Sequence, residues 1–562
     1  VSKNEQTLFL PNTTNKTSNN LACLDAALQI GDNVYSCLTE SGQAIMTIYG
    51  SGPTYNYSEF ESPLLGNKYS MAKVEDGITS FGDYLFQNTS LRTINIPSSL
   101  TYIGKNVFKD NTAIATSIGL KSMESPEFSF EDYILYDKDQ TRLIYAFNVN
   151  DKAYSILDSV VTIDDGAFIT INSPYSITLN SKVKYLTGQS FSNCLYLTQF
   201  IITTENPYFT VDDGVLYSKD MSRLIKYPSQ KSGTTFTIPE SVTTIDDFAF
   251  EFLGHVTTLT IGSNAKEIGS HAFPNNHHLT TFVVESANTA FSTDDGVIYS
   301  KDKKVLLHFP SNKMPTDNEF EIPDTVTTIG EYAFENSRRV ITVYYPPSLT
   351  HISSYAFFHS TIANIYPKEE GQIQEGSISI DKLAFLECKN LMKIILPQTA
   401  NINDSAFLLN YNFHNLTYLG ETEPSCTSKS IQKCPLTTVQ VTPKYQSDSF
   451  CDFPITGRST LTPTPQATST PQATPTLPPS PTITEAPTQS PEPTSSSDSS
   501  SEQTKNKIIA LSVGISVLLV ACIIVIIAII VFRKKRIMLD IKRSGKFGSF
   551  SSDIRDLVLP PD

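Results

Sequence analysis

Residues 242–250 read VTTIDDFAF, residues 326–334 read VTTIGEYAF and residues 349–357 read LTHISSYAF. Weaker copies are LTYIGKNVF at 100–108, VVTIDDGAF at 160–168, VKYLTGQSF at 183–191 and AKEIGSHAF at 265–273. ITSFGDYLF at 78–86, ISIDKLAF at 378–385 and ANINDSAF at 400–407 complete the series. The closing Phe falls at 86, 108, 168, 191, 250, 273, 334, 357, 385 and 407, with gaps of 22, 60, 23, 59, 23, 61, 23, 28 and 22 residues. A unit of 22 or 23 residues cannot bury its own apolar side, but stacked copies can, so the chain reads as a β-rich solenoid.

The long gaps hold an element that also repeats: FSFEDYILYDKDQTRLIYAF at 128–147, FTVDDGVLYSKDMSRLIKYP at 209–228 and FSTDDGVIYSKDKKVLLHFP at 291–310. Apolar alternation around Asp/Gly/Ser clusters reads as an inserted β-hairpin. Each unit also carries a strand of the form L-x-x-I-x-I, often closed by proline, as in LRTINIP (91–97), VITVYYP (340–346) and LMKIILP (391–397). Leu91, Ile94 and Ile96 are expected to face the core, and Arg92, Thr93 and Asn95 to face out. The Ile and Ala-Phe of the longer phrase are expected to stack as apolar ladders.

Outside 75–407 the repeat fades. Residues 1–74 alternate apolar and polar as a β-rich N-terminal cap, and 408–457 form a C-terminal cap. Residues 458–507 form a stalk; of the 46 residues from Ser459 to Thr504, 10 are Pro and 22 are Ser or Thr. This composition excludes a core and gives a disordered, extended spacer of the O-glycosylated type, reaching about 140 Å at most. Residues 508–532 are 25 residues without a charge, enough to span a bilayer as one transmembrane helix. Arg533, Lys534, Lys535 and Arg536 follow, which assigns 533–562 to the cytoplasm and places the N-terminus outside. Val1 stands where an initiator methionine would, which a removed signal peptide explains. The net charge of −15 then divides into −19 over 1–507 (34 basic, 53 acidic) and +4 over 533–562 (8 basic, 4 acidic). That outer balance argues against nucleic acid as a partner.

Taken together, the L-x-x-I-x-I-P and V-T-x-I-G-x-x-A-F phrases resemble the leucine-rich repeats of BspA-like surface proteins. The paired repeats with DDGVLYSKD inserts, Pro/Thr stalk, single span and short tail resemble the trichomonad members. The resemblance implies a horseshoe-like solenoid at the cell surface, attached to host cells, matrix or mucosa. It carries over no residue-level ligand site, because the family motif marks the scaffold.

The sequence shows no HExxH, GxSxG, Walker loop or GxGxxG, so neither an enzyme nor a cofactor is expected. Nor is a metal, since zinc spacings are missing; the pairs Asp212-Asp213 and Asp294-Asp295 precede glycines, where a structural turn competes with calcium. Cys23 and Cys37 share one cap, and Cys426, Cys434 and Cys451 the other. Cys23–Cys37 and Cys434–Cys451 are the favoured disulfides, although spacing leaves the connectivity open. Glycosylation sequons stand at Asn12, Asn15, Asn56, Asn88, Asn403 and Asn415. On the concave strand face, outward positions are Thr-rich early and become aromatic and aliphatic later. A ligand-binding patch is placed at Ile341, Tyr344, Tyr366, Lys393 and Ile395.

Three functions fit this organisation. The first is a single-pass plasma-membrane adhesion protein whose repeats bind a host-cell or matrix protein or glycan. The second is a signalling or trafficking receptor using the tail, with a cytoplasmic adaptor as partner. The third is a structural or antigenic coat component. Pairing of copies into a homo-oligomer is left open by the long β surface.

Overall fold

In the computed structural model, the L-x-x-I-x-I segments become strands and so do the V-T-x-I phrases, except that the phrase at 183–191 keeps only a single bridge, Thr162 with Tyr185. The first, here the lead strand, is exemplified by Thr93–Ile96, in which Leu91, Ile94 and Ile96 are buried while Arg92 is exposed. The second, the phrase strand, is as short as Thr244–Ile245 or Thr328–Ile329. The structure describes residues 23–458 except 24–26, 41–44, 60, 67–68, 110, 112–119, 124, 148–151, 169–173, 204, 369–375 and 432–433; 1–22 and 459–562 lie outside the description. Successive lead strands pair in parallel, as Thr258 with Thr281 and Tyr344 with Tyr366, and so do successive phrase strands, as Thr244 with Glu267. Among the described residues helix is confined to three single 3-10 turns, Gly188–Phe191, Thr316–Asn318 and Ser428–Ile431.

The closing phenylalanines form the spine of the core. Phe334, Phe357, Phe385 and Phe407 stack in sequence at 4.8–5.0 Å with planes within 9° of parallel, and Phe407 continues onto Phe413 at 5.0 Å. This ring spacing matches the separation of paired strands, about 4.8 Å, so one aromatic per repeat makes a continuous ladder. Nine of the ten closing rings are buried, and Phe273 is half-buried. The turn around each Phe is built on left-handed residues. Two positions before it, Tyr84, Asn106, Phe248, Tyr332, Tyr355, Leu383 and Ser405 have φ of 51–62°. Two positions after it, Asn88, Asn193, Phe252, Asn275, Asn336, His359, Glu387 and Leu409 have φ of 49–65°. Bulky side chains adopt this conformation at a cost of about 1–2 kcal/mol each, offset here by stacking: Tyr332 lies parallel on Tyr355 at 4.9 Å and on His271 at 3.9 Å.

The inserts are larger than the hairpins expected from sequence. Each is a three-stranded antiparallel unit, such as Phe209–Asp212, Val215–Ser218 and Arg223–Lys226. Its third strand is a full member of the solenoid, since Arg223 pairs in parallel with Thr244, as Arg142 does with Thr162 and Val305 with Thr328. In two copies this register carries an ion pair: Arg142 meets Asp164 at 2.6 and 2.8 Å, and Arg223 meets Asp246 at 2.6 and 3.1 Å. The third copy has Val305 and Gly330 at these places, so both partners are replaced together.

The tips of two inserts are two-residue turns with both φ positive, Asp213-Gly214 (43° and 77°) and Asp295-Gly296 (44° and 74°), the type I′ geometry. Asp213 and Asp295 also pair with Lys231 at 2.8 Å and Lys313 at 2.9 Å, so these aspartates tie each tip to the following loop. The first insert places Tyr133 at φ 64° where the others have glycine. Replacing Tyr133 with Gly is expected to stabilise the protein by about 0.5–1 kcal/mol, because relief of left-handed strain exceeds the added chain entropy. A thermal melt of Y133G that is unchanged or lower removes this account.

Every insert leaves the stack after a lead strand and re-enters as a phrase strand. The lead-strand ladder is therefore broken into four separate sheets, lying within 28–123, 153–202, 235–284 and 319–458. Contacts between distant repeats converge on the side of the Phe turns. Lys109, one residue past Phe108, pairs with Glu59 and lies 5.7 Å over the Phe248 ring. Lys382 pairs with Glu61, 321 residues away. The turn side is thus the inside of the curve, which corrects the expectation of a concave strand face.

Buried charge joins the modules across an insert. Lys226 and Glu251 pair at 2.9 Å with both side chains 3% exposed. Glu251 also accepts from the Ser192 hydroxyl at 2.8 Å, and Lys226 donates to the Phe248 carbonyl at 2.9 Å. At the next junction Glu335 pairs with His271 at 3.2 Å, and His308 takes the Lys226 position against the edge of Phe273.

The caps are continuous with the repeats. The parallel ladder starts before residue 75, since Ile45–Gly50 pairs with Met71–Val74 and that strand with Thr93–Ile96. At the other end Asn415–Tyr418 and Thr438–Val441 extend the lead row, and Gly457–Arg458 closes it. Cys23 bonds to Cys37, and Cys451 bonds to Cys426 rather than Cys434. Cys434 is turned into the stack, where its sulfur donates to the Phe407 carbonyl at 2.9 Å and burial pushes its thiol up to about 12. Among the described residues no helix is long and apolar enough to cross a membrane. The 508–532 span, the stalk from 459, the 533–562 tail and the sequons at Asn12 and Asn15 lie outside the described residues.

Candidate functional site

The outward face of the C-terminal lead-strand sheet is built by a run of consecutive parallel strands, and register decides which side chains meet. Glu319, Thr342, Asn364, Lys393, Asn415 and Thr438 form one row across it. Glu321, Tyr344 and Tyr366 lead a second row, which continues through the register of Ile395, Thr417 and Gln440. Tyr344 and Tyr366 are therefore direct neighbours, with ring centroids 6.1 Å apart. The Lys393 ammonium lies 5.2 Å from the Tyr366 ring. Ile341 and Met392, just before their strands, are 46% and 47% exposed.

Hydrogen bonds fix the orientation of the two tyrosines along the sheet face. The Tyr366 hydroxyl donates to the Asn364 side chain at 3.1 Å, and Tyr344 to Glu319 at 3.4 Å. The Asn364 amide in turn donates to Thr342 at 3.4 Å. Such rings enter an interface with little conformational freedom left to lose.

Four of the five residues singled out from sequence contribute to this surface. Ile395 does not: it is 8% exposed, flanked in register by Tyr366 and Thr417. Thr342 and Ala363, also on outward positions, are buried at 6% and 7%. Alternation fixes direction but not depth, and a small residue between larger ones is covered. Glu319 and Glu321, which make the open edge of the patch acidic, went unnoticed in the sequence because they precede the L-x-x-I-x-I pattern. Of the described sequons, Asn56, Asn88 and Asn403 are exposed. Asn415 is half-buried and directly opposite Lys393.

A family model described as BspA type leucine rich repeat region matches residues 64–134, 144–233, 226–294 and 312–436, in six copies. Several solved structures resemble the chain, three of them as follows. A leucine-rich repeat protein from Eubacterium ventriosum is 18% identical with a TM-score of 0.32, covering 76% of this chain and 99% of its own. A leucine rich cell surface protein from Faecalibacterium prausnitzii is 19% identical with a TM-score of 0.28, covering 61% and 95%. The pneumococcal vaccine antigen PcpA is 14% identical with a TM-score of 0.28, covering 74% and 98%. No curated protein matches the chain.

Proposed function

Because the chain belongs to the BspA-type leucine-rich-repeat family, we propose that it is a single-pass cell-surface adhesion protein whose solenoid binds a host-cell, matrix or mucosal ligand. In this reading the N-terminus is outside the plasma membrane, the Pro/Ser/Thr stretch lifts the repeats away from it and 508–532 anchors them. The observation that carries the proposal is the Tyr344–Tyr366–Lys393 cluster beside exposed Ile341 and Met392. Two oriented aromatics, two apolar contacts and a cation on a flat sheet are the composition of a protein-binding centre, in which aromatics carry much of the energy. A sheet face without a cleft suits a macromolecule better than a small molecule.

The test is binding of the full chain, displayed on cells, to host-cell monolayers and immobilised matrix. Replacing Tyr344 and Tyr366 with Ser is expected to weaken binding by about thirtyfold, the scale of one hot spot of about 2 kcal/mol. Unchanged binding by a variant with an unaltered melting temperature sinks the patch.

A further inference from the structure

We propose that a second binding surface lies on the phrase-strand side of the repeat at 174–203, and that it takes a glycan ending in a carboxylate-bearing sugar. The outward position of the phrase row is a small polar residue in six repeats, Ser80, Thr162, Thr244, Thr328, Ser379 and Asn401, and Glu267 and His351 in two more. At two positions it is tyrosine instead, Tyr102 and Tyr185, exposed by 47% and 54%. Thr162 pairs with Tyr185, and Tyr102 lies 5.8 Å from the Arg142 guanidinium. Threonine fills this position in other repeats, so the strand does not require these rings.

Lys184 precedes Tyr185 and is fully exposed. Its ammonium lies 5.0 Å from the Tyr185 ring and 5.5 Å from the ring of Tyr208, which arrives from the start of the second insert and is 41% exposed. No carboxylate pairs with Lys184 among the described residues, and a hydrogen bond to Tyr185 pushes its pKa upward. Residues 174–203 contain Lys182 and Lys184 and no acidic residue, in an outer region whose net charge is −19. The surface thus combines two exposed tyrosine rings with a cation that no carboxylate neutralises.

Those features select a ligand class. Pyranose rings have an apolar C–H face that lies on a tyrosine ring, and a tyrosine exposed for that purpose loses little entropy on binding. Lysine supplies a point charge rather than a two-pronged fork, which suits one carboxylate held beside stacked sugars. A polysulfated chain is matched by an extended field of cations, and only Lys182 accompanies Lys184 here. This surface is on the other strand row from Tyr344 and Tyr366, so it stands or falls separately from the adhesion patch.

The experiment titrates the purified full chain in detergent with sialyllactose, lactose and heparin at low and high salt. Sialyllactose is expected to bind about fivefold tighter than lactose at low salt, the scale of one exposed ionic contact, and the advantage is expected to vanish at high salt. Lys184→Gln is expected to abolish the advantage while leaving lactose binding and the melting temperature unchanged. Tyr185→Thr with Tyr208→Thr is expected to weaken both sugars, and Tyr344→Ser with Tyr366→Ser neither. Equal affinity for the two sugars, undiminished preference in K184Q, or binding of heparin alone overturns the proposal.

Discussion

Lys226→Met is expected to destabilise the protein by about 3–5 kcal/mol, although methionine fills nearly the same volume. The ammonium is enclosed, and its removal leaves the Glu251 carboxylate buried with only neutral partners. An uncompensated buried charge costs far more than the pair itself contributes. The reverse follows for the double change. With Lys226→Met and Glu251→Met together no charge is stranded, and much of the loss is expected to return. Urea denaturation of the full chain and both variants measures this. A single variant within about 1 kcal/mol of wild type would show that the pair is not enclosed as described.

Phe385→Ala is the second large effect, at about 3–5 kcal/mol. Phe385 is fully buried and lies parallel to two neighbours, Phe357 and Phe407, each at 4.8 Å. Truncation removes both contacts and leaves a gap that two rigid strand rows cannot close. In a solenoid each repeat rests on its neighbours alone, so the damage should remain local. Hydrogen exchange is expected to quicken through 342–418, while 209–284 keeps its protection. Uniform loss of protection along the whole chain would contradict the nearest-neighbour picture.

The parts that were legible in the sequence are those where periodicity and burial agree. Ten phenylalanines recurring at 22–23 residues within pairs announce a ladder, because stacking buries nine of them and half-buries Phe273. The L-x-x-I-x-I segments announce strands with one face in. What escaped was set by partners far along the chain. RLIK at 223–226 looks like the return arm of a hairpin, and only its parallel partner Thr244 shows that it belongs to the stack. Cys434 and Cys426 are equivalent by spacing, and the Phe407 carbonyl and the position of Cys451 separate them. Left-handed Phe248, Tyr332 and Tyr355 contradict local preference, which favours glycine or asparagine as at Gly166 and Asn106. Of the candidate patch, Tyr344, Tyr366 and Lys393 were visible as outward residues, whereas the burial of Ile395 depends on its cross-strand neighbours. The Lys184 cluster was missed because Tyr208 comes from an insert, not from the adjoining strand.

The interrupted lead-strand ladder has a mechanical consequence. In an unbroken β-solenoid, tension along the axis is shared by one continuous rail of backbone hydrogen bonds. Here the lead-strand rail stops at each insert and begins again beyond it. At the second insert the load passes in part through side chains such as Lys226, Glu251 and Ser192. Pulled from its ends, the protein should behave as a segmented spring, yielding junction by junction and releasing chain in lengths set by the 82–84-residue spacing of its modules. Each junction would dissipate load before the next is strained, so a bond formed at the far end would be spared the first shock.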